Sequence, residues 1–329
     1  MKPSLATFVP TLPRRMTVIS ALCVTGGVLL APQARALSAL DVVNKFSLGN
    51  GVGVTKDIAY GEDALQNLDI YYPKALAKQL RQQDGAVAVS GDYPMVVFVH
   101  GGSWQSGTKD DYAFVGESLA QAGYVTAVIN YRKAPEHVYP DYVQDTAQAI
   151  AWSYQHAGDY HADAQRVAVV GHSAGAFNAV AAVADEKFLA PYGMQPTDLR
   201  AVVGIAGPYS YDFREYPTAV AFPSGATPDE VMPDRHITGA QPPYLLLTAG
   251  NDKTVYPQNA INMHKALLEH GVDVETGVIK GASHATSIGA FASPLRWLND
   301  SRAQVLRYLE RQLSVSSIDS TESSQNSAN

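Results

Sequence analysis

From residue 53 to residue 313 the chain alternates short apolar runs with helical patterns, and that alternation leaves few architectures open to it. Strand-like runs fall at 53–59, 68–72, 95–99, 125–130, 167–170, 201–205, 244–248 and 274–279. The middle ones are near-continuous Val, Ile and Leu, the pattern of strands buried on both faces. Val143, Ala147, Ile150 and Tyr154 recur at spacings of four, three and four, which draws one face of a helix. Residues 260–270 and 295–313 read the same way, and 174–182 is a helix of small residues. No helix separates the first two runs, so they form an antiparallel lead-in. The later strand–helix repeats predict a mostly parallel eight-stranded sheet with helices on both faces. Ligands of such sheets bind beyond the carboxyl ends of the strands.

The ends of the chain fall outside this rhythm. Lys2, Arg14 and Arg15 precede an uncharged apolar run at 16–30, and Ala34-Arg35-Ala36 sets small residues where an export peptidase needs them. Residues 1–36 therefore read as a signal peptide cut after Ala36, which places the mature protein in a periplasm or outside the cell. The run is shorter than the roughly twenty residues of a membrane span, so no stable membrane insertion is expected after cleavage, an uncleaved anchor being the alternative. The single cysteine, Cys23, lies inside this leader. A mature chain without thiols can have no disulfide, no thiolate metal site and no cysteine nucleophile. At the other end, 314–329 is rich in Ser, Asn, Thr and Asp and is expected to be disordered. Between them, 37–313 reads as one domain. The formal net charge of −7 comes without any basic stripe, which argues against nucleic acid as a partner. Nothing in the sequence sets an oligomeric state.

The chemistry concentrates at strand ends. Gly171-His172-Ser173-Ala174-Gly175 joins the run at 167–170 to the small-residue helix, and glycine on both sides permits the sharp turn of a nucleophile elbow. A serine needs a base, and the base needs an orienting group. Of the nine histidines, His284 follows the serine in sequence and sits in a small-residue loop just past a strand; His236 is its rival. Asp252, in the turn after 244–248, is the candidate acid, with Asp212 as fallback. The order Ser173, Asp252, His284 is the one expected of an α/β-hydrolase fold. After the strand at 95–99, His100-Gly101-Gly102-Ser103-Trp104 supplies glycines that let amides turn toward developing negative charge. Gly102 and Ser103 are the candidate oxyanion donors, joined by the amide of Ala174. Residues 208–241, rich in Pro, Gly and aromatics, are long for a connection and read as a small cap insertion, or as a surface excursion. Within it, Thr227-Pro228-Asp229-Glu230 carries the signature of a capped helix start.

These motifs together resemble the carboxylesterase and lipase branch of the α/β-hydrolases. The loop at 100–104 is similar to that family's His-Gly-Gly-X-Trp loop. Tyr131-Arg132-Lys133-Ala134-Pro135-Glu136 is similar to its Tyr-Arg-X-Ala-Pro-Glu segment, and Asp252-Lys253-Thr254-Val255 to its Asp-X-X-Val acid loop. Ser103 stands where the hormone-sensitive-lipase group carries a third glycine, and the Ser-Trp version looks more like bacterial esterases and kynurenine formamidases. The resemblance covers about 53 to 313. It implies hydrolysis of small-molecule carboxylic esters, of short or medium acyl chain, without a cofactor.

Two other readings stay open. The same triad cleaves amides, as an arylformamidase or peptidase; the export leader argues against the first, which is usually intracellular. A non-catalytic binding protein on this fold typically lacks one catalytic residue, whereas this chain keeps all of them. A zinc enzyme has less support, since there is neither a His-Glu-X-X-His pattern nor a thiol.

Overall fold

A computed structural model of the chain describes residue 44, residues 51–82 and residues 93–314. The leader expected at 1–36, the boundary at 37 and all of the tail expected at 314–329 except Ser314 lie outside the described residues. Among the described residues no helix is long and apolar enough to cross a membrane.

Eight strands form one sheet: β1 (Gly53–Ala59), β2 (Asn67–Tyr72), β3 (Tyr93–Val99), β4 (Val125–Ile129), β5 (Ala162–His172), β6 (Ala201–Ile205), β7 (Tyr244–Ala249) and β8 (Val274–Ile279). Their spatial order is β1-β2-β4-β3-β5-β6-β7-β8. β2 pairs antiparallel with both β1 and β4, and every later pairing is parallel. This is the sheet expected of an α/β-hydrolase.

Seven helices accompany it among the described residues: α1 (Lys74–Gln82), α2 (Ala113–Gln121), α3 (Asp141–Gln155), α4 (Ala174–Ala184), α5 (Pro228–Val231), α6 (Gln258–Glu269) and α7 (Ser301–Leu313). The near-continuous apolar strands divide their side chains between two cores, because successive residues of a strand point to opposite faces. Val97, Val99, Val169 and Leu246 meet α3, α4 and α6 on one face. Val96, Phe98, Val170 and Leu247 meet α2 and α7 on the other.

Three expectations need correction. β5 begins at Ala162, five residues before the expected run at 167–170, and its pairing with β3 shifts register between Tyr93 and Met95. Polar Asp163, Gln165 and Arg166 hide this extension from an apolar pattern. The helix expected at 295–313 is split: a 3-10 turn covers Ser293–Leu295 and α7 starts at Ser301. Asn299 Oδ1 accepts the Ser301 amide at 3.0 Å, a local bond that competes with continuous helix. Helix α2 was not anticipated, because eight of its nine residues, Ala113 through Ala120, are buried and no polar stripe marks it.

The stretch from Pro208 to Gln241 folds as short 3-10 turns around α5. At the start of α5 the Thr227 amide donates to the Glu230 carboxylate at 2.7 Å, the return half of a capping box. Phe213 and Phe222 from this stretch are buried, with ring centroids 4.1 Å apart. Phe222 also packs edge-on against Trp104 at 5.2 Å. The insertion is thus packed against the loop that follows β3.

Candidate active site

The turn from β5 into α4 is tight enough to dictate its own sequence. Ser173 has φ 56° and ψ −124°, a left-handed backbone that costs energy in a non-glycine residue. A Cβ on Gly171 would lie 2.2 Å from the Gly175 carbonyl oxygen, and one on Gly175 would lie 2.2 Å from that of Val99. Both clashes are with backbone, so neither position admits a side chain without moving β3 or α4. The strain lifts Ser173 Oγ out of the sheet edge, and the Ser173 amide is held by the Ile205 carbonyl at 2.9 Å.

Loops after β7 and β8 bring the other two groups. Ser173 Oγ and His284 Nε2 are 2.8 Å apart. His284 Nδ1 and Asp252 Oδ2 are also 2.8 Å apart, and the carboxylate is almost fully buried. Asp252 Oδ1 accepts the amides of Thr254 at 2.8 Å and Val255 at 2.9 Å. Burial alone pushes the Asp252 carboxyl up. The His284 hydrogen bond and the two amides outweigh burial and hold it below its ordinary range. A carboxylate kept ionised at Nδ1 leaves Nε2 as the lone-pair nitrogen facing the serine, which is the tautomer a general base requires.

The two rivals lie elsewhere. Asp212 is exposed and paired with Arg214 at 2.5 Å. Nε2 of His236 is buried without a hydrogen-bond partner, and the imidazole that pairs with Ser173 Oγ is His284.

The loop after β3 passes close to the serine: a Cβ built on Gly101 would lie 3.0 Å from Ser173 Cβ. Gly102 (φ 135°), Ser103 (φ 53°) and Trp104 (φ 59°) run through three successive positive-φ positions. The Gly102 carbonyl accepts the amides of Gln105 and Ser106, each at 3.0 Å, closing the turn. Among the described residues the amides of Gly102, Ser103 and Ala174 donate to no backbone carbonyl. Ser103 and Ala174 border the same cavity as Ser173, and Gly102 does not line it.

Buried groups fix the loop from below. Trp104 Nε1 donates to Asn178 Oδ1 of α4 at 2.8 Å. The His100 ring stacks on Tyr131 at 4.4 Å, its Nδ1 is 2.7 Å from the Gly101 carbonyl, and burial lowers its pKa to about 3. It is a neutral prop. Further along, Lys109 Nζ is buried between Asp69 at 2.8 Å and Asp57 at 2.7 Å. Burial lowers the Lys109 pKa, but those hydrogen bonds prevail and raise it above its usual value.

One contact was not legible in the sequence. His172, beside the serine, turns away from it and places Nε2 3.1 Å from Ser287 Oγ. Ser287 Oγ donates to the His284 carbonyl at 2.6 Å. Tyr112 Oη lies 3.3 Å from His172 Nδ1. Burial, and then the neighbouring His284, push the His172 pKa down to about 3, so the ring is neutral. Ser287 has spent its one proton on His284, so His172 Nε2 must carry the hydrogen and Nδ1 must accept from Tyr112.

Ser173 opens into a cavity of about 270 Å³ walled by Trp104, Pro208, Tyr211, Pro217 and Val255. Pro208, Tyr211 and Pro217 come from the insertion, so this segment forms part of the cavity wall. Among the described residues no group of three histidine or acidic side chains is placed to hold a metal ion.

Several known proteins are similar to this chain in sequence or in fold. The BD-FAE family model matches residues 85–220. A probable carboxylic ester hydrolase, LipM, of Mycobacterium tuberculosis is 30% identical over 225 residues, covering 62% of this chain and 49% of that protein. Esterase LipC of the same organism is 28% identical over 283 residues, covering 75% of this chain and 66% of that protein. The chain thus spans about half to two thirds of the length of these relatives. Among solved structures, a phosphonate-inhibited esterase B from Lactobacillus rhamnosis superposes with a TM-score of 0.65 at 18% identity, over 84% of this chain and 90% of that one. At that identity the likeness is one of fold.

Proposed function

We propose that this chain, an α/β-hydrolase with esterase-like relatives, hydrolyses carboxylic esters through an acyl-enzyme on Ser173. The observation that carries the reading is the unbroken line of 2.8 Å contacts from Ser173 Oγ through His284 to Asp252. Its relatives' names point to the same bond.

The steps follow from the geometry. An ester carbonyl enters the cavity and Ser173 Oγ attacks its carbon while His284 Nε2 takes the hydroxyl proton. Asp252 stabilises the imidazolium at Nδ1. The carbonyl oxygen becomes an oxyanion facing the amides of Ser103 and Ala174, with Gly102 as the third candidate; each such donor is worth about 100- to 1,000-fold in rate. Collapse breaks the ester C–O bond, and the alcohol leaves with the proton from Nε2. Water then enters, gives a proton to His284 and attacks the acyl carbon. The tetrahedral adduct releases the carboxylic acid as Ser173 recovers its proton.

A cavity of about 270 Å³ is at the small end for ligand sites, which supports short or medium acyl groups. The leader pattern at 1–36 supports action outside the cytoplasm. The test is a p-nitrophenyl ester series from C2 to C12, assayed on wild type and Ser173→Ala beside the matching anilides. Turnover that peaks at C2 to C6 and vanishes in the variant is expected. Full activity in the variant refutes the reading, and anilides outrunning esters would transfer the site to amide hydrolysis.

A further inference from the structure

The catalytic cavity has a neighbour of different chemistry. A second hollow, of about 500 Å³, is lined by the insertion and by α6. Among the described residues Tyr211 alone borders both. The first is walled by tryptophan, proline and valine, the second by Ser210, Asp229, Arg235 and Asn262. Tyr211 thus stands where an apolar cavity meets a polar one.

This residue is tied at both ends. Its Oη lies 3.0 Å from Thr218 Oγ1, and the ring of Tyr216 packs edge-on against its own at 5.6 Å. On the backbone side, the Ser210 amide donates to Asn259 Oδ1 at 2.9 Å, and Asn262 Nδ2 donates to Ser210 Oγ at 3.0 Å. Asn259 and Asn262 stand one turn apart on one face of α6. Swinging the Tyr211 ring aside for a longer substrate would cost the Thr218 bond and the Tyr216 contact together. Tyr216 and Tyr256 border the same cavity but are 48% and 57% exposed, so they mark its mouth. Tyr211 is set deeper and belongs to the inner wall.

The base decides which half of an ester this wall meets. His284 Nε2 must hand its proton to the leaving oxygen, so the alcohol has to sit against that nitrogen. His284 does not line the cavity, whereas Ser103 and Ala174, whose amides face the oxyanion, do. The cavity therefore lies on the acyl side. We propose that Tyr211 is the specificity-determining wall that stops the acyl chain, and that its bond to Thr218 keeps this wall in place. The inference rests on the ester-hydrolase reading. Without the ring, the space it vacates takes the next methylenes, as far as the polar lining of the second hollow. Each methylene so buried is worth about fourfold in kcat/KM.

The test compares two ratios of kcat/KM: p-nitrophenyl decanoate over p-nitrophenyl butyrate, which varies the acyl chain, and octyl over ethyl butyrate, which varies the alcohol. Tyr211→Ala is expected to raise the acyl ratio by about tenfold or more, the worth of two buried methylenes, and to leave the alcohol ratio within about twofold. Tyr211→Phe keeps the ring and loses only the bond to Thr218, so it should raise the acyl ratio by about fivefold at most. Tyr211→Leu keeps an apolar side chain in the wall and serves where the alanine variant does not fold; its acyl ratio should rise above that of the phenylalanine variant. An acyl ratio unchanged in folded Tyr211→Ala or Tyr211→Leu, with butyrate still cleaved, overturns the wall and leaves the esterase reading standing. A rise in the alcohol ratio instead also overturns it. If the wild type cleaves no ester, the ester reading and the wall fall together.

Discussion

Removing the hydroxyl of Ser287 tests whether His284 is held in register by the relay behind it. Ser287→Ala deletes two hydrogen bonds, the one it gives to the His284 carbonyl at 2.6 Å and the one it takes from His172 Nε2 at 3.1 Å. Each is worth about 1 kcal/mol net, and the His284 backbone, which also bonds to His172, keeps an acceptor beside the imidazole N–H. The sum is about 2 kcal/mol, a fall in Tm of about 4–8 °C for a domain of this size. His172 cannot escape the loss by ionising, because its pKa is near 3. The effect on rate arises because the loop at 284–287 carries the base. A shift of about 1 Å in a catalytic group costs on the order of 100-fold, and kcat is expected to fall by about 10- to 100-fold while KM stays within about twofold. Steady-state kinetics on a p-nitrophenyl ester, run well below the lowered Tm, reads this directly. A variant with reduced Tm but unchanged kcat would refute the reasoning and make Ser287 a purely structural contact.

Two further outcomes follow from packing and linkage. Gly175→Ala drives a methyl into the Val99 and His100 carbonyl oxygens, at 2.2 and 2.4 Å, so both folding yield and esterase activity should collapse; a variant with wild-type Tm would mean the elbow is looser than its geometry. Glu117 is 6% exposed with Oε2 unpartnered, and burial raises its pKa to about 7. Between about pH 4.3 and 7 the unfolded chain has released this proton and the folded chain has kept it, so stability falls as pH rises, by about 3 kcal/mol in all. Glu117→Gln should therefore raise Tm at pH 8 and leave it nearly unchanged at pH 4; an equal gain at both values would contradict the assignment.

Much of this site was legible in the sequence because each group announces itself locally. The Gly-X-Ser-X-Gly turn, the glycine pair after β3 and the acid and base loops after β7 and β8 all follow apolar runs, and the parallel sheet gathers the ends of such runs at one edge. Contacts set by tertiary packing were not legible. Ser287 and His172 are 115 residues apart, and although His172 lies within the elbow motif, nothing in that motif points to Ser287. Asp212 and Asp252 both follow strands in loops, and although the Asp-X-X-Val pattern favours the second, the pairing of Asp212 with Arg214 and of Asp252 with His284 decides between them. Helix α2 escaped because its buried residues leave no amphipathic stripe, and the start of β5 escaped because it is polar. The insertion showed itself as a break in rhythm, but its aromatic packing against Trp104 needed the fold.

The most direct test of the serine chemistry is covalent trapping. The protein is incubated with an alkyl fluorophosphonate, and the modified peptide is mapped by mass spectrometry in wild type, His284→Ala and Asp252→Ala. One adduct per chain on Ser173 is expected, forming at least about 100-fold more slowly in the His284 variant. Labelling at another residue, or at Ser173 with equal speed in all three proteins, would contradict a nucleophile activated by His284 and Asp252.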